Sequence, residues 1–117
     1  MAGEIVHYEI GAQDSDRAQA FWSGLFGWQF GEPMPEMDYR IAQMSDSQGA
    51  AIFHSDTPLV NVYHLVDDID ASTTKVRELG GEAADKMPVP GHGWFAACKD
   101  TEGNAFHLWQ ADSSAGQ

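Results

Sequence analysis

The sequence predicts an α+β fold made of two equivalent β-α-β-β-β modules in tandem. Three observations carry that prediction. First, the chain repeats itself without a gap at an offset of 54 residues. Sliding residues 4–56 onto 58–110 makes nine positions coincide: Val6/Val60, Asp14/Asp68, Asp16/Asp70, Leu25/Leu79, Gly27/Gly81, Ala42/Ala96, Asp46/Asp100, Gly49/Gly103 and Ala51/Ala105. Chance alone would give roughly three or four. Aspartates and glycines at cap and turn positions are prominent among the matches, where backbone geometry restricts the choice of residue. Second, each half opens on a short strand-like run and continues into a capped stretch of helical periodicity. Third, each half closes on two apolar runs joined by matching turns. Two units are too few for a solenoid; they suggest two modules about a pseudo-twofold axis, with a site between them.

The elements follow in order. Module one spans residues 4–54 and begins with a strand at Ile5–Ile10. Asp14 and Asp16 stand where a side-chain oxygen accepts the first free amides of a helix. Ala18, Phe21, Trp22 and Leu25 then recur at helical spacing and define one apolar face. These aromatic residues, with Phe26, are expected to form core against the outer face of the sheet. Gly27 ends the helix, since glycine adopts the left-handed conformation that closes one. Short strands are expected near Trp28–Phe30, Tyr39–Met44 and Ala50–His54, with the Pro- and Gly-rich loop Gly31–Asp38 between the first two. Ser55–Pro58 reads as the linker.

Module two spans residues 59–111 and mirrors this plan. Its first strand is Leu59–Val66. Asp68 or Asp70 caps the helix; Ile69, Val76 and Leu79 supply its apolar spacing, and Gly80-Gly81 stops it. Strands are expected near Glu82–Ala84, Trp94–Cys98 and Ala105–Gln110, and the loop Asp85–Gly93 matches Gly31–Asp38. The turns Asp46-Ser47-Gln48-Gly49 and Asp100-Thr101-Glu102-Gly103 carry aspartate first and glycine last, the chemistry of type I turns. The tail, residues 112–117, is small and polar and is expected to be flexible.

At 117 residues the chain is read as one domain, and 43% hydrophobic residues suffice for a core. The formal charge of −12 argues against nucleic acid and anionic membrane as partners, because both need a basic surface. No apolar run approaches the roughly 18–20 residues that span a bilayer, and no signal peptide is visible. The single cysteine, Cys98, has no internal disulfide partner and reads as a small buried filler. These points fit a cytoplasmic protein.

The order of elements, with these residues, resembles the vicinal oxygen chelate superfamily, which includes glyoxalase I, extradiol dioxygenases, and fosfomycin- and bleomycin-resistance proteins. The resemblance rests on Ile5-Val6-His7-Tyr8-Glu9-Ile10, on Arg17-Ala18-Gln19-Ala20-Phe21-Trp22 with Leu25-Phe26-Gly27-Trp28, on Val66-Asp67-Asp68-Ile69-Asp70, and on Asp100-Thr101-Glu102-Gly103-Asn104. The ending Phe106-His107-Leu108-Trp109-Gln110 is similar to small bacterial glyoxalase-like proteins. The resemblance implies a cupped, mostly antiparallel eight-stranded sheet with the helices outside it. It also implies four inward positions, one on the first and one on the last strand of each module. Here they fall on His7, Phe53, Asn61 and His107, and the repeat offset carries His7 onto Asn61 and Phe53 onto His107.

Read as chemistry, those positions are uneven. His7 and His107 are proper donors for a divalent metal such as Fe, Mn, Ni, Co or Zn. Asn61 offers only a neutral carbonyl oxygen, and Phe53 offers nothing. Glu9 shares a strand face with His7 and either completes a metal set, contacts substrate or acts as a catalytic base. Strand alternation groups Glu9, Asn61, Tyr63, Leu65, Ala105 and Trp109 with these positions; Phe53 lines the same pocket, and Tyr39 and Trp94 are placed at its rim. His54 should face away from the cup, and His92 is expected in solvent; no role is read for His64.

Two functions are implied. One is a glyoxalase-like protein that binds a small molecule in the cup, as a metal-dependent lyase, isomerase or dioxygenase. Glyoxalase I itself is disfavoured, because Phe53 and Asn61 occupy the carboxylate-type positions. The other is a metal-free binding protein of the bleomycin-resistance type, with a small cationic or aromatic ligand favoured by the acidic balance. A homodimer is expected in either case.

Overall fold

The computed structural model describes residues 2–34 and 36–117. Among those residues it confirms an α+β fold of eight strands and two helices. In order these are β1 (Ile5–Ala12), α1 (Ser15–Phe26), β2 (Tyr39–Gln43), β3 (Gly49–His54), β4 (Val60–Leu65), α2 (Ile69–Glu78), β5 (Glu82–Ala83), β6 (Met87–Val89), β7 (Gly93–Lys99) and β8 (Ala105–Ala111). The chain divides into two compact units. One is Val6–Val62; the other is Tyr63–Gln117 with the residues up to Ile5. The division falls inside β4. No helix among the described residues is long and apolar enough to cross a membrane.

In the Val6–Val62 unit, β3 pairs antiparallel with β2 and parallel with β1. The registers set His7 opposite Gly49, Gly11 opposite Phe53 and Tyr39 opposite Phe53. Asp14 caps α1 by accepting a hydrogen bond from the Arg17 amide at 3.0 Å, and Gly27 closes the helix at φ 72°. The core is small: Ile10, Ala42, Ala50, Ala51 and Ile52 are buried.

Two expectations fail in this unit. Trp28–Phe30 is not a strand. Its backbone is drawn to the helix end, where Ser23 Oγ donates to the Trp28 carbonyl at 2.7 Å, and the Trp28 indole stacks on Trp22 at 5.4 Å and 8°. The helix aromatics are also not core. Phe21, Leu25 and Phe26 stay 61%, 56% and 57% exposed. An alanine-rich core offers them little depth, and the rings pack on one another: Phe21 on Trp22, Trp22 on Phe26, Phe26 on Trp28.

In the other unit, β8 pairs parallel with β4 and antiparallel with β7, which pairs antiparallel with β5 and β6. Antiparallel pairings thus predominate in a mixed pattern. Asp68 is the helix cap, accepting from the Ala71 amide at 3.0 Å. Val66, Ile69, Ala96, Cys98 and Leu108 form the buried cluster, with Val76, Ala83, Trp94 and Phe106 against it. Strand β6 was not expected, since Pro88 cannot donate to a ladder; it is tolerated because β6 pairs only with β7. The tail is not frayed. The Gly91 amide donates to the Ala115 carbonyl at 3.0 Å, and Ala115 is fully buried.

Candidate functional site

Strand alternation places His7 and Glu9 on one face of β1. The β1–β3 and β2–β3 registers bring Phe53 and Tyr39 to that same face. The four side chains meet because the strands are in register, not because they are near in sequence. The Tyr39 hydroxyl sits between the other two polar groups. It donates to Glu9 Oε2 at 2.7 Å and lies 2.8 Å from His7 Nε2. A phenol has one proton. With that proton given to Glu9, His7 Nε2 must be the donor to Tyr39, and the His7 Nδ1 lies on the Gly49 side. Asn61, from the start of β4, donates its Nδ2 to Glu9 Oε1 at 3.1 Å. Each Glu9 oxygen thus accepts a neutral donor.

Burial lowers the His7 pKa, since a desolvated imidazolium is disfavoured; the Glu9 charge opposes this more weakly. His7 is therefore neutral at physiological pH. A groove of about 370 Å³ opens over this face, lined by Glu9, Met37, Asp38, Tyr39, Phe53 and His54. Met37 and Asp38 belong to the loop before β2, and sequence reasoning missed both. Asp38 is held from behind: Ser15 Oγ donates to its Oδ2 at 2.5 Å, and Arg40 Nε lies 3.4 Å from its Oδ1. Arg40 also pairs with Asp16 at 2.8 Å and donates to Gln19 at 2.9 Å. This tie between the start of α1 and β2 fixes the loop end, and with it Tyr39. The only legible signal was the Asp-Tyr-Arg run at the loop's exit. His54 makes its contact at the groove edge, 3.2 Å from Asp56.

The remaining candidates lie in the other unit. Tyr63 and His107 face each other across the β4–β8 pairing and stack at 4.6 Å and 16°. Phe95 packs on both, at 6.5 Å and 6.2 Å. Trp109 lies opposite Phe95, with its ring over Gly93: a Cβ there would come within 2.7 Å of it. Trp94 points to the core side instead of a rim. It packs on the Val66–Leu108 cluster, donates to Asp112 at 3.0 Å, and carries the Lys86 ammonium 4.5 Å above its ring. His64 Nδ1 donates to the Gly3 carbonyl at 2.9 Å, and His92 is exposed.

The donor set does not fit a divalent metal well. Asn61 turns its amide nitrogen toward Glu9, Phe53 has no lone pair, and His7 commits Nε2 to Tyr39. Among the described residues, no group of three or more His, Cys, Asp or Glu is placed to hold a metal ion. The arrangement is instead a carboxylate oriented by a phenol and an amide, with a neutral imidazole behind the phenol.

Comparison with known proteins agrees with the fold. The Glyoxalase-like domain family matches residues 7–109. A putative glyoxylase, CFP32, of Mycobacterium bovis and Mycobacterium tuberculosis is 31% identical over 121 residues, covering 92% of this chain and 46% of the relative. The chain thus spans about half the length of these curated relatives. Among solved structures, a glyoxalase/bleomycin resistance protein/dioxygenase superfamily member from Vibrio splendidus 12B01 superposes with a TM-score of 0.70 at 17% identity, covering 94% of this chain and 99% of that one. The Mn(II)-bound glyoxalase from Novosphingobium aromaticivorans gives 0.74 at 19% identity, over 99% of this chain and 42% of that one. At those identities the structural likeness speaks to fold alone. The chain belongs to the Glyoxalase-like domain family.

Proposed function

We propose that this chain binds a small organic molecule in the groove over Glu9, with a cationic or hydrogen-bond-donating head on the carboxylate and an apolar body against Phe53 and Met37. One observation carries the reading: Glu9, oriented by Tyr39 and Asn61, lines a groove whose opposite chemistry is apolar. A few placed polar groups within an apolar concavity are the usual make-up of a small-molecule site. The acidic net charge adds long-range attraction for a cation. The role is that of a glyoxalase-like binding protein, or of an enzyme in which Glu9 takes a proton from the ligand while Tyr39 holds the carboxylate in place. The buried lone cysteine supports a reducing, cytoplasmic setting.

Thermal-shift screening tests the reading with two sets of probes: aromatic amines and quaternary ammonium compounds, and the ions Mn, Fe(II), Co, Ni and Zn. Organic cations alone are expected to raise the melting temperature. Glu9→Gln should weaken the best of them by about tenfold or more, as measured by calorimetry. The metal-dependent reading predicts the reverse: stabilisation by a metal alone, abolished by His7→Gln and by His107→Gln. That outcome would overturn the proposal.

A further inference from the structure

The groove over Glu9 carries a second carboxylate, that of Asp38. Glu9 stands on β1 opposite Ala51 of β3. Asp38 comes immediately before Tyr39 of β2, which stands opposite Phe53 of the same β3. The two acids are thus two strands and about three residues apart on the ladder, or about 14 Å at the backbone. Phe53 lies on the middle strand between them, and Met37 and Tyr39 line the same groove. A carboxylate at each end with apolar side chains between does not suit one small shared ion. It suits two positive charges held apart by an apolar spacer.

Charge balance points the same way. Arg40 is the cation beside Asp38, and it is shared. Its Nη1 lies 2.8 Å from Asp16 and 2.9 Å from the Gln19 amide oxygen, whereas its Nε stands 3.4 Å from Asp38. The tighter pair is with Asp16, and the Ser15 hydroxyl adds only a neutral donor to Asp38. At Glu9, Tyr39 and Asn61 orient the carboxylate without neutralising it. His54, at the groove edge, faces Asp56. Three carboxylates, Glu9, Asp16 and Asp38, against the one guanidinium of Arg40 leave a formal excess of two negative charges. A ligand with a single cationic head would answer one of them and desolvate the other at a cost. We propose that the ligand is an α,ω-diamine, with one ammonium on Glu9, the other on Asp38, and its methylenes over Phe53 and Met37. This rests on the groove over Glu9 being the binding site.

Calorimetry on the full chain tests this with hexylamine against the α,ω-diamines of ethane, butane, hexane and octane. Hexanediamine is expected to bind about tenfold tighter than hexylamine, through one added charge-assisted contact. Ethanediamine, too short to reach both acids, should bind no tighter than hexylamine. Asp38→Asn should bring the hexanediamine-to-hexylamine ratio close to one. Asp16→Asn should lower the ratio as well, because Arg40 is then free to pair with Asp38. Asp16 is 88% exposed and outside the groove, so this second variant keeps the test valid if Asp38→Asn fails to fold. Glu78→Gln, which removes an exposed acid on α2, should leave the ratio as it is. Hexylamine binding that depends on Glu9, with hexanediamine no tighter, would overturn the dication and leave the groove reading standing. A preference for hexanediamine that survives both Asp38→Asn and Asp16→Asn would do the same. Failure of every amine to bind would overturn both.

Discussion

At the scale of single residues, the site is a chain of three hydrogen bonds joining His7, Tyr39, Glu9 and Asn61. Tyr39→Phe removes the central member and one donor from Glu9. Ligand affinity is expected to fall by about 1.5–3 kcal/mol, the worth of a hydrogen bond to a charged group, with the fold intact by circular dichroism. His7 has a consequence for stability. Burial pushes its pKa below the ordinary 6.5. On acidification from about pH 6.5 the unfolded chain takes up a proton that the native His7 resists, so stability falls until the pH reaches the lowered native value. Denaturant titrations at pH 7.5 and 5.5 should show this loss in wild type and a smaller one in His7→Gln. A loss of equal size in both would contradict it. His7 and Glu9 were legible from period-two alternation along one strand. The bridging position of Tyr39 was not, because it depends on the β2–β3 register. Nor were Met37 and Asp38, which a loop delivers and a distant salt-bridge cluster fixes.

At the scale of elements, the helix boundaries were the most readable part of the chain. Caps are local: Asp14 and Asp68 each bind an amide three residues ahead, and both positions coincide in the repeat. Replacing either with alanine should cost about 1 kcal/mol in denaturant unfolding. The short strands were less readable. Trp28–Phe30 and Met87–Val89 have the wrong apparent propensities, since ring stacking claims the first and a neighbouring strand recruits the second despite its proline. The glycine at the start of β7 is a further case. A Cβ on Gly93 would strike the Gln110 carbonyl and the Trp109 ring. Gly93→Ala is therefore expected to destabilise by about 1–3 kcal/mol or to displace Trp109, which its fluorescence would report.

At the scale of the whole molecule, charge is the dominant property. Eighteen acidic residues against six basic ones make the compact state self-repelling. Raising NaCl from about 20 to 300 mM should increase the melting temperature by a few degrees, because screening relieves that repulsion. An unchanged melting temperature would mean that the carboxylates are already spaced beyond effective reach. The tandem plan itself was legible because the repeat is gapless. The same slide also shows where the two halves diverge, at His7 against Asn61 and at Phe53 against His107. The parallel pairings have a further consequence for how the chain reaches this state. His7 lies opposite Gly49, and Tyr63 opposite His107, so in each half the first strand waits for a return about forty residues later. The antiparallel hairpins β2–β3 and β7–β8 need only short loops and should form earlier. Pulse-labelled amide exchange should find the hairpins protected while β1 is still exchanging. The polar cluster would then be among the last features to assemble, because its two β1 members arrive with the strand that closes the ladder.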